Sequence, residues 1–176
     1  MRVFACAVAC MGFATIASAD DSAAVRREAQ FKAAYLFNFV KFVEWPAAVG
    51  DTLTVCFVGG EGVLEALADG IDAKRIGARK LAARRLDGAA PAEGCNAVYI
   101  DEASSASVTA LIGARQDSVL TISDAKAFAS QGGMIELFTD SNRLRFNINI
   151  DAAQKAGLRI SSSLLSLAAS VKRGES

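Results

Sequence analysis

Leu53-Thr54-Val55-Cys56-Phe57-Val58-Gly59-Gly60 is the stretch that decides the fold. It is rich in β-branched and aromatic residues, turns continuously apolar towards its end, and stops on a glycine pair. A strand with one wet face would alternate polar and apolar residues. Continuous burial suits an inner parallel strand with helices over both faces. Two more segments of this kind follow: Cys95-Asn96-Ala97-Val98-Tyr99-Ile100, stopped by Asp101-Glu102, and Ser118-Val119-Leu120-Thr121-Ile122. Between the first two, the pattern predicts a short helix over 61–69, a strand from Lys74 to Leu86, and a turn region from Asp87 to Gly94 that contains Pro91. Ser104 or Ser105 is placed to cap a helix through Ala114, and a short helix from Asp124 to about Ser130 follows the third strand.

Upstream, residues 22–44 read as one long helix, capped by Ser22 and free of Gly and Pro until Trp45-Pro46. Tyr35, Phe39 and Phe42 join Leu36, Phe37, Val40 and Val43 to make its second half apolar around most of its circumference. Such a helix is buried on several sides or shared with a partner, and core packing is the simpler reading. After Gly132-Gly133 the period changes. Met134 to Phe138 and Arg143 to Ile150 flank Thr139-Asp140-Ser141-Asn142 as the arms of a hairpin. Residues 151–156 form a short helix ended by Gly157, Leu158-Arg159-Ile160 is extended, and Ser161 to Ser163 cap a final amphipathic helix through Val171. The tail from Lys172 to Ser176 reads as loose. There are no repeats and no low-complexity linker. The expected architecture is α/β: a single domain with a mixed β-sheet flanked by helices, and a C-terminal β-hairpin and helix.

The first 19 residues stand outside that domain. Met1-Arg2 is a minimal positive start, Val3 to about Ile16 is apolar, and Ala17-Ser18-Ala19 is a small-x-small site followed by Asp20-Asp21. Residues 1–19 therefore read as a secretory signal peptide, leaving an exported domain over 20–176. The run is too short and too rich in Ala for a membrane anchor, and no later run reaches spanning length. Cys6 and Cys10 leave with the signal. Cys56 and Cys95 remain, and in an exported chain they most simply form one disulfide. The alternative is two buried free thiols.

The chain is electrically balanced, with 19 basic and 19 acidic residues and no histidine. Balance argues against a nucleic-acid binder that works through a broad basic field. Absent histidine removes the commonest general base and imidazole metal ligand. Gly59-Gly60-Glu61-Gly62 lies between a strand and a helix, where phosphate could meet helix amides, but it matches no phosphate-loop spacing and reads as a tight turn. Asp101, Glu102 and Asp124 sit beyond strand carboxyl ends, where ligand groups of open sheets collect. Helix capping accounts for Glu102 and Asp124 more simply than acid–base work does. Arg143, Arg145, Asn147 and Asn149 form a polar stripe that is either a solvated strand face or a recognition face. No residue set points to catalysis, a metal or a cofactor.

Lys32-Ala33-Ala34-Tyr35-Leu36-Phe37-Asn38-Phe39-Val40-Lys41-Phe42-Val43-Glu44-Trp45-Pro46 resembles the opening helix of the YfiR family. Val119 to Ser123, Phe128-Ala129, Gly132 to Ile135 and the closing run from Arg143 to Ile150 are similar to the same family, as are Ala156-Gly157-Leu158, Ile160-Ser161-Ser162 and Leu164-Leu165. Cys56 and Cys95 stand where family members place a strand cysteine pair. The likeness covers about residues 30–170, with Ile71 to Gly94 matched only loosely and a second cysteine pair of some relatives missing. It implies a periplasmic, non-enzymatic repressor. Such a protein binds the periplasmic sensor domain of an inner-membrane diguanylate cyclase, so that cyclic-di-GMP and biofilm formation stay low. The partner-facing side chains expected on this reading are Tyr35, Phe39, Phe42, Arg143, Arg145, Asn147, Leu164 and Leu165. A homodimer is expected too, since surplus apolar helix surface needs cover. The alternative is a periplasmic small-molecule binding module with its ligand near Gly59-Gly60, Asp101 and Asp124.

Overall fold

A computed structural model describes residues 17–46, 49–86, 92–104 and 118–173. Most of the expected signal peptide, the helix expected over 105–114 and residues 87–91 of the turn region lie outside the described residues.

Helix α1 (Ala17–Lys41) opens the described chain. It runs through Ser22, the residue expected to cap it, because the Ala-rich approach is itself strongly helix-forming. It stops three residues earlier than expected. Val43–Glu44 forms strand β1, paired antiparallel with β9 (Arg159–Ile160). Pro46 disfavours helical backbone just before it, while the Phe42 carbonyl accepts from Ser161 N. Trp45 Nε1 donates to the Val40 carbonyl and so satisfies part of the helix end.

Next come β2 (Thr52–Val58), α2 (Glu61–Ala68), β3 (Arg75–Ile76), β4 (Arg79–Arg85), β5 (Ala97–Ile100) and β6 (Leu120–Ser123). They are followed by β7 (Ile135–Asp140), β8 (Arg143–Asn149), α3 (Ile150–Lys155), β9, α4 (Ser162–Leu165) and β10 (Ser170–Lys172). The single strand expected from Lys74 to Leu86 is a small hairpin of β3 and β4 instead, turned at Gly77-Ala78.

The main sheet has the order β10-β8-β7-β6-β5-β2-β4-β3. Its middle, β4-β2-β5-β6-β7, is parallel throughout, in one of the two common doubly wound orders. β8 returns antiparallel to β7 through Ser141 and Asn142, both at positive φ (49° and 63°). That is the backbone a tight two-residue hairpin turn demands, and it makes the turn shorter than the four residues expected.

Alternate residues of the inner strands feed two cores. Val55, Phe57, Tyr99, Ile122, Ile135 and Leu137 pack with Leu36, Phe39 and Val40 of α1 and Leu67 of α2. Cys56, Val58, Val98, Ile100 and Phe128 form a second core on the opposite face. Both faces of the inner strands are therefore covered, as their continuous apolar runs require.

One expected helix is absent and another is cut short. Asp124 to Ser130 forms a series of turns in which Ala127 has a φ of 63°. Phe128 folds back over Gly133, where even a Cβ would lie 2.2 Å from its ring. The last helix ends at Leu165 rather than Val171. Ser161 caps it as expected, accepting from Leu164 N at 3.3 Å. Ser170–Lys172 then lies parallel beside β8, whose outer edge would otherwise carry unpaired backbone groups.

Candidate functional site

Gly59-Gly60 ends β2 and Asp101 follows β5, the two strands between which the chain's direction of progress across the sheet reverses. This is the crevice where open α/β sheets take ligands. At both glycines the chain's own side chains close in. Gly60 sits at φ 65°, and a Cβ there would lie 2.6 Å from Cε1 of Tyr99. A Cβ on Gly59 would lie 2.5 Å from Oγ of Ser104 and 3.1 Å from Cβ of Asp101. The glycine pair is thus a close-packing device as well as a turn.

Asp124 is the hub beside it. Its Oδ2 accepts from Lys32 Nζ at 2.6 Å and from Tyr99 OH at 2.7 Å, and its Oδ1 accepts from Glu102 N at 2.7 Å. Glu28, one turn earlier on α1, meets Lys32 Nζ at 2.8 Å. Three elements, α1, β5 and the turn after β5, converge on one carboxylate in the loop after β6. The role expected for Asp124, a helix cap, is corrected, since no helix follows it. Next to it, buried Ser123 Oγ donates to the Ile100 carbonyl at 2.6 Å and accepts from Ala125 N.

The protonation states are locked. Burial pulls the Lys32 pKa down, but the hydrogen bonds and charges of Asp124 and Glu28 outweigh it and leave it above its ordinary value. Burial and the neighbouring Asp124 carboxylate push the Tyr99 hydroxyl far above the usual phenol range. At neutral pH Tyr99 is neutral and Lys32 charged, so neither serves as a base. No three metal-ligating side chains come together among the described residues. The cluster is a clamp between α1 and the sheet.

For both groups the folded chain holds the proton more tightly than the unfolded one. Their stabilisation is complete below the ordinary values, 10.5 for Lys32 and 10.0 for Tyr99, and fades as pH rises beyond them. Denaturant melts from about pH 8 to about pH 11 should show a level region and then a fall, and Tyr99→Phe should flatten the fall.

A second seam joins α1 to the hairpin. Tyr35 OH donates to the Leu144 carbonyl at 2.9 Å, and the rings of Tyr35, Phe39 and Phe146 meet edge to face, 5.0 Å apart for Phe39 and Phe146. Of the side chains expected to face a partner, Phe39 and Leu164 fill this chain's own core. Tyr35, Phe42 and Leu165 are half-buried and pack against it. Arg143 and Arg145 are exposed, and Arg145 pairs with Asp140 at 3.0 Å. Asn147 accepts from Ser170 Oγ under β10. Buried Asn149 donates to the Ala129 carbonyl and caps α3. The polar stripe is therefore two different things: a charged tip, and two asparagines engaged by the chain itself, Asn147 by β10 and Asn149 as the buried cap of α3.

Cys56, in the middle of β2, is disulfide-bonded to Cys95 at the entrance to β5, with their Cα atoms 5.8 Å apart. Arg84 of β4 donates to the Glu93 carbonyl and lies 3.3 Å from Cys95 Sγ.

The YfiR/HmsC-like family model matches residues 29–169, which takes in α1 from Ala29, the main sheet except β10, the disulfide and the hairpin. The chain belongs to the YfiR/HmsC-like family. It is a family of periplasmic, non-catalytic regulators. Among solved structures, the chain is similar to a conserved domain protein from Vibrio cholerae O1 biovar El Tor, with a TM-score of 0.54 at 16% identity over 82% of this chain and 60% of that one. It is also similar to an ABC domain in complex with L-Trp from Streptococcus pneumonia, with a TM-score of 0.52 at 13% identity over the same shares. At these identities the likeness concerns the fold alone, and this chain spans less than two thirds of either relative. No helix among the described residues is long and apolar enough to cross a membrane.

The expected groups Gly59, Gly60, Asp101 and Asp124 do come together. Lys32 and Tyr99, which complete the clamp, were read as helix and strand residues only. The only signal for Lys32 is a cation between Phe31 and Ala33 in the helix, and burying it calls for a carboxylate beside it.

Proposed function

We propose that this protein is an exported regulator that binds the periplasmic domain of an inner-membrane diguanylate cyclase and holds it inactive, lowering cyclic-di-GMP and biofilm formation. The observation that carries this reading is the family match over residues 29–169, with the Cys56–Cys95 disulfide inside it. The docking surface is formed by the outer side of α1, where Phe31 is 60% and Val25 65% exposed. Tyr35, Phe42 and Leu165 at the α1 seams border it, while Arg143, Arg145 and Asn147 alternate with core residue Phe146 and so face the other side of the sheet. A homodimer covers part of this apolar surface. Deleting the gene in a strain that carries the cognate cyclase should raise cellular cyclic-di-GMP, and restoring it should lower the level again. A flat level in the deletion strain would remove the proposal.

The likeness to a chain solved with L-Trp favours a second reading, a small-ligand module with its site in the crevice by Gly59-Gly60. Both oxygens of Asp124 and the Tyr99 hydroxyl are already engaged there, which weighs against it. A thermal-shift screen of amino acids and nucleotides should give no stabilised hit. A clear shift with any of them would restore this second reading.

A further inference from the structure

Six of the twelve residues from Lys74 to Arg85 are basic and none is acidic, in a chain whose net charge is zero. They form the β3–β4 hairpin at one edge of the sheet. Arg75 pairs across the hairpin with Lys80, and Lys80, Ala82 and Arg84 share one face of β4. Arg75, Lys80 and Arg84 are all exposed. They lie on the disulfide face, since Arg84 is opposite Cys56. Arg75 and Arg84 donate to backbone carbonyls, and Lys80 has no side-chain partner among the described residues. Within the hairpin only Arg85, on the other face, meets a described carboxylate, Glu61.

We infer that the row Arg75–Lys80–Arg84 rests against an anionic phospholipid surface. A protein partner would favour a buried aromatic or aliphatic anchor at the centre of its contact. This face of β4 offers only Ala82, and the large exposed apolar side chains among the described residues, Val25, Phe31 and Leu167, lie outside the hairpin. A row of cations with no acidic side chain in the hairpin suits a fluid charged surface instead. Edge charges also discourage sheets from pairing, but that needs a charge or two rather than an acid-free run of six. The inference rests on the proposed function only for placing a membrane beside the chain. The hairpin would orient the protein on the membrane while α1 faces the cyclase.

The test is sedimentation of the purified chain with phosphatidylcholine vesicles that contain or lack phosphatidylglycerol. Binding is expected only with phosphatidylglycerol, weakening as salt rises from about 0.1 M to about 0.5 M. Each basic side chain near such a surface is worth about fivefold in partitioning. The double variant Arg75→Gln/Lys80→Gln should therefore bind about 25-fold more weakly with an unchanged melting temperature. Wild-type protein that sediments no better with the anionic vesicles, or a variant that binds as well as wild type, overturns the inference. A second arm measures capture of the cyclase's soluble periplasmic domain. The variant should capture it normally, and loss of capture would make the hairpin a protein-docking surface and overturn the membrane assignment. If neither protein captures the domain while vesicle binding holds, the proposed function fails and the membrane inference stands.

Discussion

Asp124→Ala should lower the unfolding free energy by about 3 kcal/mol, the low end for a buried ion pair, because it removes one partner of a largely buried pair and leaves the other charged. Lys32 Nζ would keep only Glu28, which is more than half exposed. Tyr99 OH would lose its acceptor, and so would the amide of Glu102. For a domain of this size the loss corresponds to a fall of roughly 10 °C in melting temperature. Lys32→Met should cost much less. It leaves Asp124 with the Tyr99 hydroxyl and the Glu102 amide, and the methionine can follow the buried stem of the lysine. This asymmetry separates a hub from a simple ion pair. If calorimetry showed the two variants equally destabilised, Asp124 would be only one end of a bridge. The clamp also joins the first helix to the strand ends, so Asp124→Ala should loosen α1 before the sheet. Hydrogen exchange along residues 28–36 would show that order.

The same cluster shows what could be read in advance. Each inner strand was legible because burial on both faces forces a continuous apolar run, and Val55 to Val58 and Ala97 to Ile100 are fully buried. The glycine pair and the carboxylates beyond the strand ends were legible as positions. Their use was not, because Lys32 reaches Asp124 across 92 residues of sequence and periodicity carries no such distance. The helix expected at Asp124 failed for a related reason: tertiary contacts, with Phe128 seated on Gly133, override a weak local preference. The C-terminal helix was overestimated because an open strand edge on β8 captures Ser170–Lys172. The basic hairpin was visible in the sequence, but a net charge of zero concealed it, since charge totals say nothing about where charge gathers.

Removing the Cys56–Cys95 bridge should cost up to about 4 kcal/mol and weaken partner binding along with stability. The bridge closes a loop with a sequence separation of 39. That loop holds α2, β3 and β4, one whole flank of the sheet. With the bridge cut, this flank is held by the β2–β4 ladder and the packing of α2 on α1, and the unfolded chain regains the freedom of the open loop. Cys56→Ser adds a separate penalty, because a hydroxyl would stand at a position with no exposure. The double variant Cys56→Ala/Cys95→Ala isolates the bridge from that effect. Reductant should lower the melting temperature of the wild type towards that of the double variant and leave the double variant where it is. Equal melting temperatures for oxidised wild type and double variant would mean that the bridge contributes nothing. The coupling to binding follows from position. β2 packs beneath α1 through Leu53, Val55 and Phe57, so a flank that frays in the reduced protein takes away the floor on which the proposed docking helix lies.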